Sequence, residues 1–160
     1  EPTRSIIPLD WDQTHNLNGS IFGNYKRWGA NTVFQFGSGY PYTPQITNYE
    51  SQGEVLSNVL LRNSRRKPIT FRLDLKVHRD LKLGKINGKF YVRIQNLTDR
   101  RNQISVYGDS GKANETIEQS RAQALSPFEP MRPNTLEQFF NRPDWYDPPR
   151  QVQLGLQFLW

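Results

Sequence analysis

The sequence of 160 residues contains no cysteine, two histidines and a single methionine. Without cysteine there is no disulfide framework, no thiolate zinc site and no cysteine nucleophile. The sequence also lacks any run of about 18 apolar residues, the length that a helix needs to cross a bilayer. A transmembrane helix is therefore excluded, whereas a transmembrane strand is not, because its alternating residues look hydrophilic on a running average. The length suits one domain.

The motifs of common enzymes are incomplete in this chain. His15 and His78 lie far apart in sequence, and both fall in segments with strand periodicity. GSG at residues 37–39 lacks the spacing of a nucleophile elbow, and GDSGKA at residues 108–113 lacks the spacing and final hydroxyl of a phosphate-binding loop. The carboxylates at positions 10 and 12, or 144 and 147, are too few for calcium and suit solvated loops better. We predict no enzyme activity, no cofactor and no metal site.

The charge balance is basic, with 21 Lys and Arg against 15 Asp and Glu and a net charge of +6. Such a balance suits a polyanionic partner, and the densest cluster is Arg62, Arg65, Arg66 and Lys67. Because the cluster is short and has no interleaved aromatics, nucleic acid is not predicted as a partner. Two interpretations of it stay open: contact with lipopolysaccharide phosphates, and a solvated basic loop.

Five segments alternate polar and apolar residues with period two, which is typical of strands that have one apolar face. The clearest is QVQLGLQFLW at residues 151–160, and ITFRLDLKVH at 69–78 and FYVRIQ at 90–95 behave alike. Helical periodicity fits none of the five. We predict strands near residues 15–24, 29–38, 69–80, 89–97 and 150–160, paired in sequential antiparallel order.

The connections between these strands alternate in length. Residues 25–28 predict a tight turn, and residues 83–88 contain Asn87-Gly88, a hairpin signal. The other two connections, residues 39–67 and 98–149, are long and polar, and loops of this length are usually functional. Within the second, residues 114–125 favour a helix, and the run from Thr135 to Gln138 has the pattern of a capping box.

Short turns at one end, long loops at the other and alternating strands of about ten residues are the pattern of an outer-membrane β-barrel. Hydrocarbon offers no hydrogen-bond partner, so every strand that crosses it must be paired with its neighbours. Only the side chains on the outward face must be apolar. The fold class predicted is all-β: an antiparallel transmembrane β-barrel segment, about five strands in a curved meander with two long extracellular loops. The predicted lipid-facing residues are Phe71, Leu73, Leu75, Val77, Val92, Ile94, Leu154 and Leu156. The predicted lumen-facing residues are Arg72, Asp74, Lys76, Arg93, Gln95, Gln153 and Gln157.

Aromatic residues cluster near the predicted strand ends, as in the girdles of membrane barrels. The short-turn end would carry Tyr25, Trp28, Phe90 and Trp160, and the long-loop end Phe36, Tyr40, Tyr42 and Phe71. A soluble antiparallel sheet with one face packed on a core shows the same alternation and stays open as an alternative.

Four segments, in order along the chain, resemble the carboxy-terminal part of the barrel of TonB-dependent outer-membrane receptors. They are LDWDQTHNL at residues 9–17, GSGYPYTP at 37–44, NLTDR at 96–100 and NRPDWYDPPR at 141–150. The resemblance implies that residues 1–160 are the last strands of a barrel, because plugged outer-membrane transporters have 22 strands and about five are predicted here. The plug domain and the remaining strands would then be absent from this chain, as would the secretion signal.

The resemblance also implies a location, a function and partners. The location is the outer membrane of a Gram-negative bacterium, and the function is energy-dependent uptake of a large scarce ligand of the siderophore, cobalamin, glycan or peptide class. The partners are outer-membrane lipid and lipopolysaccharide, the remaining barrel strands, the barrel-assembly machinery, and the energising TonB protein, which acts through the missing plug. The rival function is a small secreted or periplasmic β-sheet protein that binds carbohydrate or peptide.

Two groups of residues complete the predicted site. The last eight residues are similar to the signal by which the assembly machinery recognises its clients, with Gln153, Gly155, Phe158 and Trp160 at the characteristic positions. Final strands of this kind can pair by β-augmentation. Tyr40, Tyr42, Trp145 and Tyr146 are candidate ligand contacts at the outer mouth, where their rings would stack on a flat ligand, or else belong to the interfacial girdle.

Overall fold

The computed structural model describes residues 6–45, 62–84, 86–125 and 135–159. The chain divides into two compact units. One, the sheet unit, consists of residues 15–37, 70–101 and 148–160, and the other, the loop unit, consists of residues 1–14, 38–69 and 102–147.

The sheet unit is one antiparallel sheet of five strands. Its strands are β1 (Asn16–Tyr25), β2 (Trp28–Gly37), β5 (Thr70–Leu83), β6 (Ile86–Gln95) and β7 (Gln151–Leu159). Each pairs with the next in sequence, so that β1 and β7 form the two edges. The predicted all-β class and the sequential meander are therefore confirmed, and the predicted strand bounds are right to within a few residues.

The long connections leave and rejoin the sheet at one end, as predicted. Gly37, the last residue of β2, pairs with Thr70, the first residue of β5. Gln95, the last residue of β6, pairs with Gln151, the first residue of β7. The opposite end carries the tight turn in which Tyr25 pairs with Trp28.

The second hairpin turn differs from the prediction. Leu83 pairs with Ile86, and Gly84 has a positive φ of 62°, so the chain reverses three residues earlier than the Asn87-Gly88 signal indicates. Asn87 and Gly88 lie inside β6. The alternation of polar and apolar residues in β5 continues through Leu83. The additional strand pairing therefore stabilises the sheet more than a turn at the favourable dipeptide would.

The loop unit contains short elements that pack with little apolar core. Pro41–Tyr42 (β3) pairs with Arg65–Arg66 (β4), a small hairpin that the sequence did not predict. Helix α1 spans Ile117–Leu125, within the predicted region, and α2 spans Leu136–Phe140. Thr135 caps α2 in the predicted capping box. A 3₁₀ turn follows at Pro143–Trp145.

Apolar burial is small throughout the described residues. Apart from prolines, Ala113 is the only apolar side chain buried there, at 1% exposure. The other buried side chains are polar: Asn63, Asn96, Asn102 and Thr116. Within the described part of the loop unit, the segments are therefore joined by hydrogen bonds and not by a hydrophobic core.

Candidate membrane-facing surface and loop cavity

One face of the sheet is apolar from edge to edge. The cross-strand register places Ile21, Thr32, Leu75, Ile94 and Val152 in one row, and the adjacent rows repeat the pattern. All eight residues predicted to face lipid lie on this face, which we call the apolar face. On the edge strands its side chains are largely exposed, with Ile21 and Leu154 both at 69%. Contact with lipid itself stays a prediction.

The other face, which we call the polar face, carries all seven residues predicted to face a lumen. Near the long-loop end the Arg72 guanidinium lies 3.0 Å from the Asp74 carboxylate, and that carboxylate also accepts a hydrogen bond from the backbone N–H of Asn96 at 2.8 Å. The Lys76 ammonium lies 5.2 Å from the centre of the Tyr91 ring. This face is thus mainly polar and partly internally paired, and Phe22 and Val33 are apolar exceptions among its described side chains.

Gly155, a member of the predicted assembly signal, sits beneath an aromatic ring. Gly155 and Tyr91 are cross-strand partners on β7 and β6, and a Cβ at position 155 would collide with the Tyr91 ring. The same relation holds between Gly19 and Phe34 at the other edge of the sheet. Aromatic rings that cover a glycine protect the backbone and help to set the register. The role of Tyr91 could not be predicted from the sequence, because the cross-strand partner of a glycine is known only when the register is known.

A row of large side chains crosses the apolar face at the short-turn end. Its members, from β1 to β7, are Tyr25, Trp28, Arg79, Phe90 and Leu156. Tyr25, Trp28 and Phe90 were predicted there, whereas Trp160 lies outside the described residues. Arg79 was not predicted, although its place in the alternation of β5 puts it in this row. Its guanidinium carbon lies 5.2 Å from the centre of the Trp28 ring.

The NLTDR segment forms the turn that leads out of β6. Asn96 is buried at 4% exposure and has a φ of 53°. Its side-chain amide donates hydrogen bonds to the carbonyls of Arg100 and Pro148, both at 3.1 Å, and its amide oxygen accepts one from the N–H of Arg100. Asp99 accepts a bond from the N–H of Arg150 at 2.8 Å. Asn96 and Asp99 therefore hold the start of the long connection against its end.

The carboxylates near the amino terminus are exposed or partly exposed, as expected of loop carboxylates, and each also has a partner within the loop unit. Asp10 accepts a hydrogen bond at 2.6 Å from the side chain of buried Asn63, and Asp12 forms an ion pair with Arg66. The ammonium of Lys67 donates to the carbonyl of Ile104 at 2.7 Å. Two members of the basic cluster therefore make contacts within the loop unit. Arg66 anchors the LDWDQTHNL segment, and Lys67 anchors the second long connection.

The four aromatic candidates for ligand contact all lie in the loop unit but make separate contacts. The Tyr42 hydroxyl lies against Gly111, and Tyr40 is exposed beside the small hairpin. The Trp145 ring lies 4.6 Å from that of Tyr107, centre to centre. Tyr146 lines an open cavity of about 250 Å³ together with Asn114, Gln119, Glu137, Phe140 and Arg142.

Two further observations concern the described part of the chain. No group of three or more His, Asp or Glu side chains is placed there to hold a metal ion. None of the helices found there has the length and apolar character needed to span a bilayer.

No protein-family model matches the chain, and no curated protein or solved structure matches it either.

Proposed function

We propose that this chain forms part of the wall of a TonB-dependent receptor barrel, which imports a large scarce ligand across the outer membrane of a Gram-negative bacterium. The observation that carries the proposal is the exposed apolar face of the five-stranded sheet. Its side chains extend from edge to edge, and the polar residues of the same strands lie on the opposite face. A barrel wall needs this arrangement because its outside meets hydrocarbon and its inside meets water or a plug.

The height of the apolar face supports the proposal. On β5 its stretch from Phe71, at the long-loop end, to Arg79, which pairs with Trp28 beside the first tight turn, is followed by Leu81, which continues the face. Eight residue steps of about 3.3 Å span about 26 Å along the strand. At a strand tilt of about 40° this becomes about 20 Å along the membrane normal, close to the apolar band of about 25 Å in outer-membrane barrels.

The small apolar burial within the described residues argues against a soluble sheet. A soluble antiparallel sheet packs one face on a core, and the described residues of this chain bury a single non-proline apolar side chain. Leu17, Val152 and Leu156 are about 60% exposed on the edge strands. Apolar surface of this extent requires lipid or another protein layer.

In this proposal each part of the chain has a role. The apolar face contacts lipid, and the polar face lines the lumen beside the plug through which TonB acts. The long connections face the extracellular side, where the aromatic and amide side chains of the loop cavity contribute to ligand capture. The unpaired edges continue into the remaining barrel strands, and β7 carries the signal read by the assembly machinery.

The test uses the polypeptide as its natural gene encodes it, expressed in a Gram-negative host. We expect it in the outer-membrane fraction, and we expect its band to shift on a gel when the sample is boiled, as closed barrels do. Recovery of the protein in the periplasm or medium as a soluble monomer without that shift would refute the proposal.

The second candidate is a small secreted or periplasmic β-sheet protein that binds carbohydrate or peptide. The observation in its favour is the loop cavity of about 250 Å³, which combines two aromatic rings, amides, Glu137 and Arg142. This protein would be soluble without detergent and would bind glycan or peptide in solution. Sedimentation of the natural polypeptide with and without detergent separates the two candidates.

A further inference from the structure

Arg79 is a cation in an otherwise apolar and aromatic row. The register sets it between Trp28 and Phe90 on the apolar face, and the guanidinium lies over the Trp28 ring at 5.2 Å. No carboxylate of the described residues forms an ion pair with it. A cation–π contact stabilises the charge but supplies no acceptor for the N–H donors of the guanidinium, and no described residue accepts a hydrogen bond from them. The neighbouring cation, Lys26, lies in the same way over the Tyr25 ring, also at 5.2 Å.

The position of this pair along the sheet indicates the acceptor. Arg79 lies about 10 Å from Leu75 along the membrane normal, by the step length and tilt used above. The edge of an apolar band of about 25 Å lies about 12 Å from its middle, and the long arginine side chain can extend its guanidinium to that level while its stem stays among apolar groups. The planar fork of an arginine matches two oxygens of a phosphate, and aromatic side chains favour the same region.

We propose that Arg79, supported by Trp28 and Lys26, binds the phosphodiester group of a membrane glycerophospholipid at the short-turn rim of the apolar face. This inference rests on the proposed function, because it requires the apolar face to contact lipid. Short turns of outer-membrane barrels lie on the periplasmic side, so the lipid belongs to the periplasmic leaflet.

The other basic residues at this end do not share the role. Lys82 and Lys89 belong to the polar face, and the Lys89 ammonium lies 3.5 Å from the Asp80 carboxylate. Together with Arg27 they line a groove of about 430 Å³. Lys82 is therefore a matched control for Arg79, since it has the same charge and lies at the same end but on the opposite face.

The experiment measures phosphatidylglycerol bound to the purified natural polypeptide by native mass spectrometry during a lipid titration in detergent. Arg79→Gln should weaken the apparent affinity about fivefold, the effect expected of one basic residue beside an anionic headgroup. Lys82→Gln should change it less than about twofold on the same reasoning, because its charge is on the far face. Arg79→Lys should restore part of the loss, since it keeps the charge without the planar fork.

Three outcomes would overturn the inference. They are equal losses in Arg79→Gln and Lys82→Gln, no loss in Arg79→Gln, and equal competition by free glycerol phosphate, which would indicate a soluble-anion site. The boiling shift of each variant is recorded in parallel. If the shift is present and lipid binding is unaffected by Arg79→Gln, the lipid site is wrong and the proposed function survives. If the unmodified protein shows no shift, the proposed function and the lipid site fail together.

Discussion

Replacing Leu75 by arginine tests whether the apolar face meets hydrocarbon. Leu75 lies in the middle of this face, with Thr32 and Ile94 as its cross-strand partners. It is four residues from Phe71 and four from Arg79, about 13 Å along the strand in each direction. Leu75 is therefore close to the bilayer midplane in the proposed orientation.

The expected magnitude depends on this depth. An arginine facing lipid at the midplane lowers the free energy of unfolding by about 2 to 4 kcal/mol, and near the interface by about 0 to 1 kcal/mol. Phe90→Arg, in the short-turn row of the same face, is the matched control at the shallow depth. Lys76→Gln, at the level of Leu75 but on the polar face, should change stability by no more than about 1 kcal/mol, the strength of an exposed cation–π contact.

The assay is denaturant unfolding of the natural polypeptide from lipid vesicles, with the change in stability taken from midpoints at constant slope. Leu75→Arg should be more destabilising than Phe90→Arg by at least about 1 kcal/mol. Equal effects at the two depths would contradict the membrane assignment. So would a Leu75→Arg effect within about 0.5 kcal/mol of zero, which is typical of a substitution on a solvated surface.

Three further predictions concern the turns and the last strand. Gly155→Ala should destabilise the barrel because its Cβ collides with Tyr91, and adding Tyr91→Ala should recover part of the loss, with a coupling energy of about 0.5 to 3 kcal/mol in a double-mutant cycle. Asn96→Ala should reduce the free energy of unfolding by about 1 to 3 kcal/mol, measured in the same vesicles, because it leaves the carbonyls of its two acceptors unpaired; an unchanged midpoint would refute this role. Changing Phe158 and Trp160 together to Ser should leave the receptor in the periplasm, as fractionation would show, and undiminished boiling-shifted protein in outer membranes would defeat the assembly-signal hypothesis.

The strands could be predicted because their alternation is a local property. Period-two patterns such as Phe71, Leu73 and Leu75 separate the two faces without any knowledge of neighbours. The turn at Gly84 could not be placed in the same way, because Asn87-Gly88 is the better local signal. In the structure Leu83 pairs with Ile86, so the turn lies before that dipeptide.

The loop unit was the least predictable part of the chain. Its β3–β4 pairing joins residues 41–42 to residues 65–66. The anchoring of Asp10 by Asn63 and of Asp12 by Arg66 joins segments more than 50 residues apart. No local pattern signals such contacts, because single polar side chains can satisfy their hydrogen bonds with water as readily as with each other. The capping box at Thr135 was predicted correctly because all its partners lie within one helical turn.

By itself the sequence determined the all-β class, the two faces of the strands and the end at which the long connections meet, since alternation and loop length are properties of neighbouring residues. Only the tertiary structure decided which residues of different strands share a row. Through that register Arg79 joins Trp28 at the rim, and Tyr91 covers Gly155. The physical reason is that a one-residue shift of register would leave each strand's own pattern unchanged while moving its side chains to the other face of the sheet.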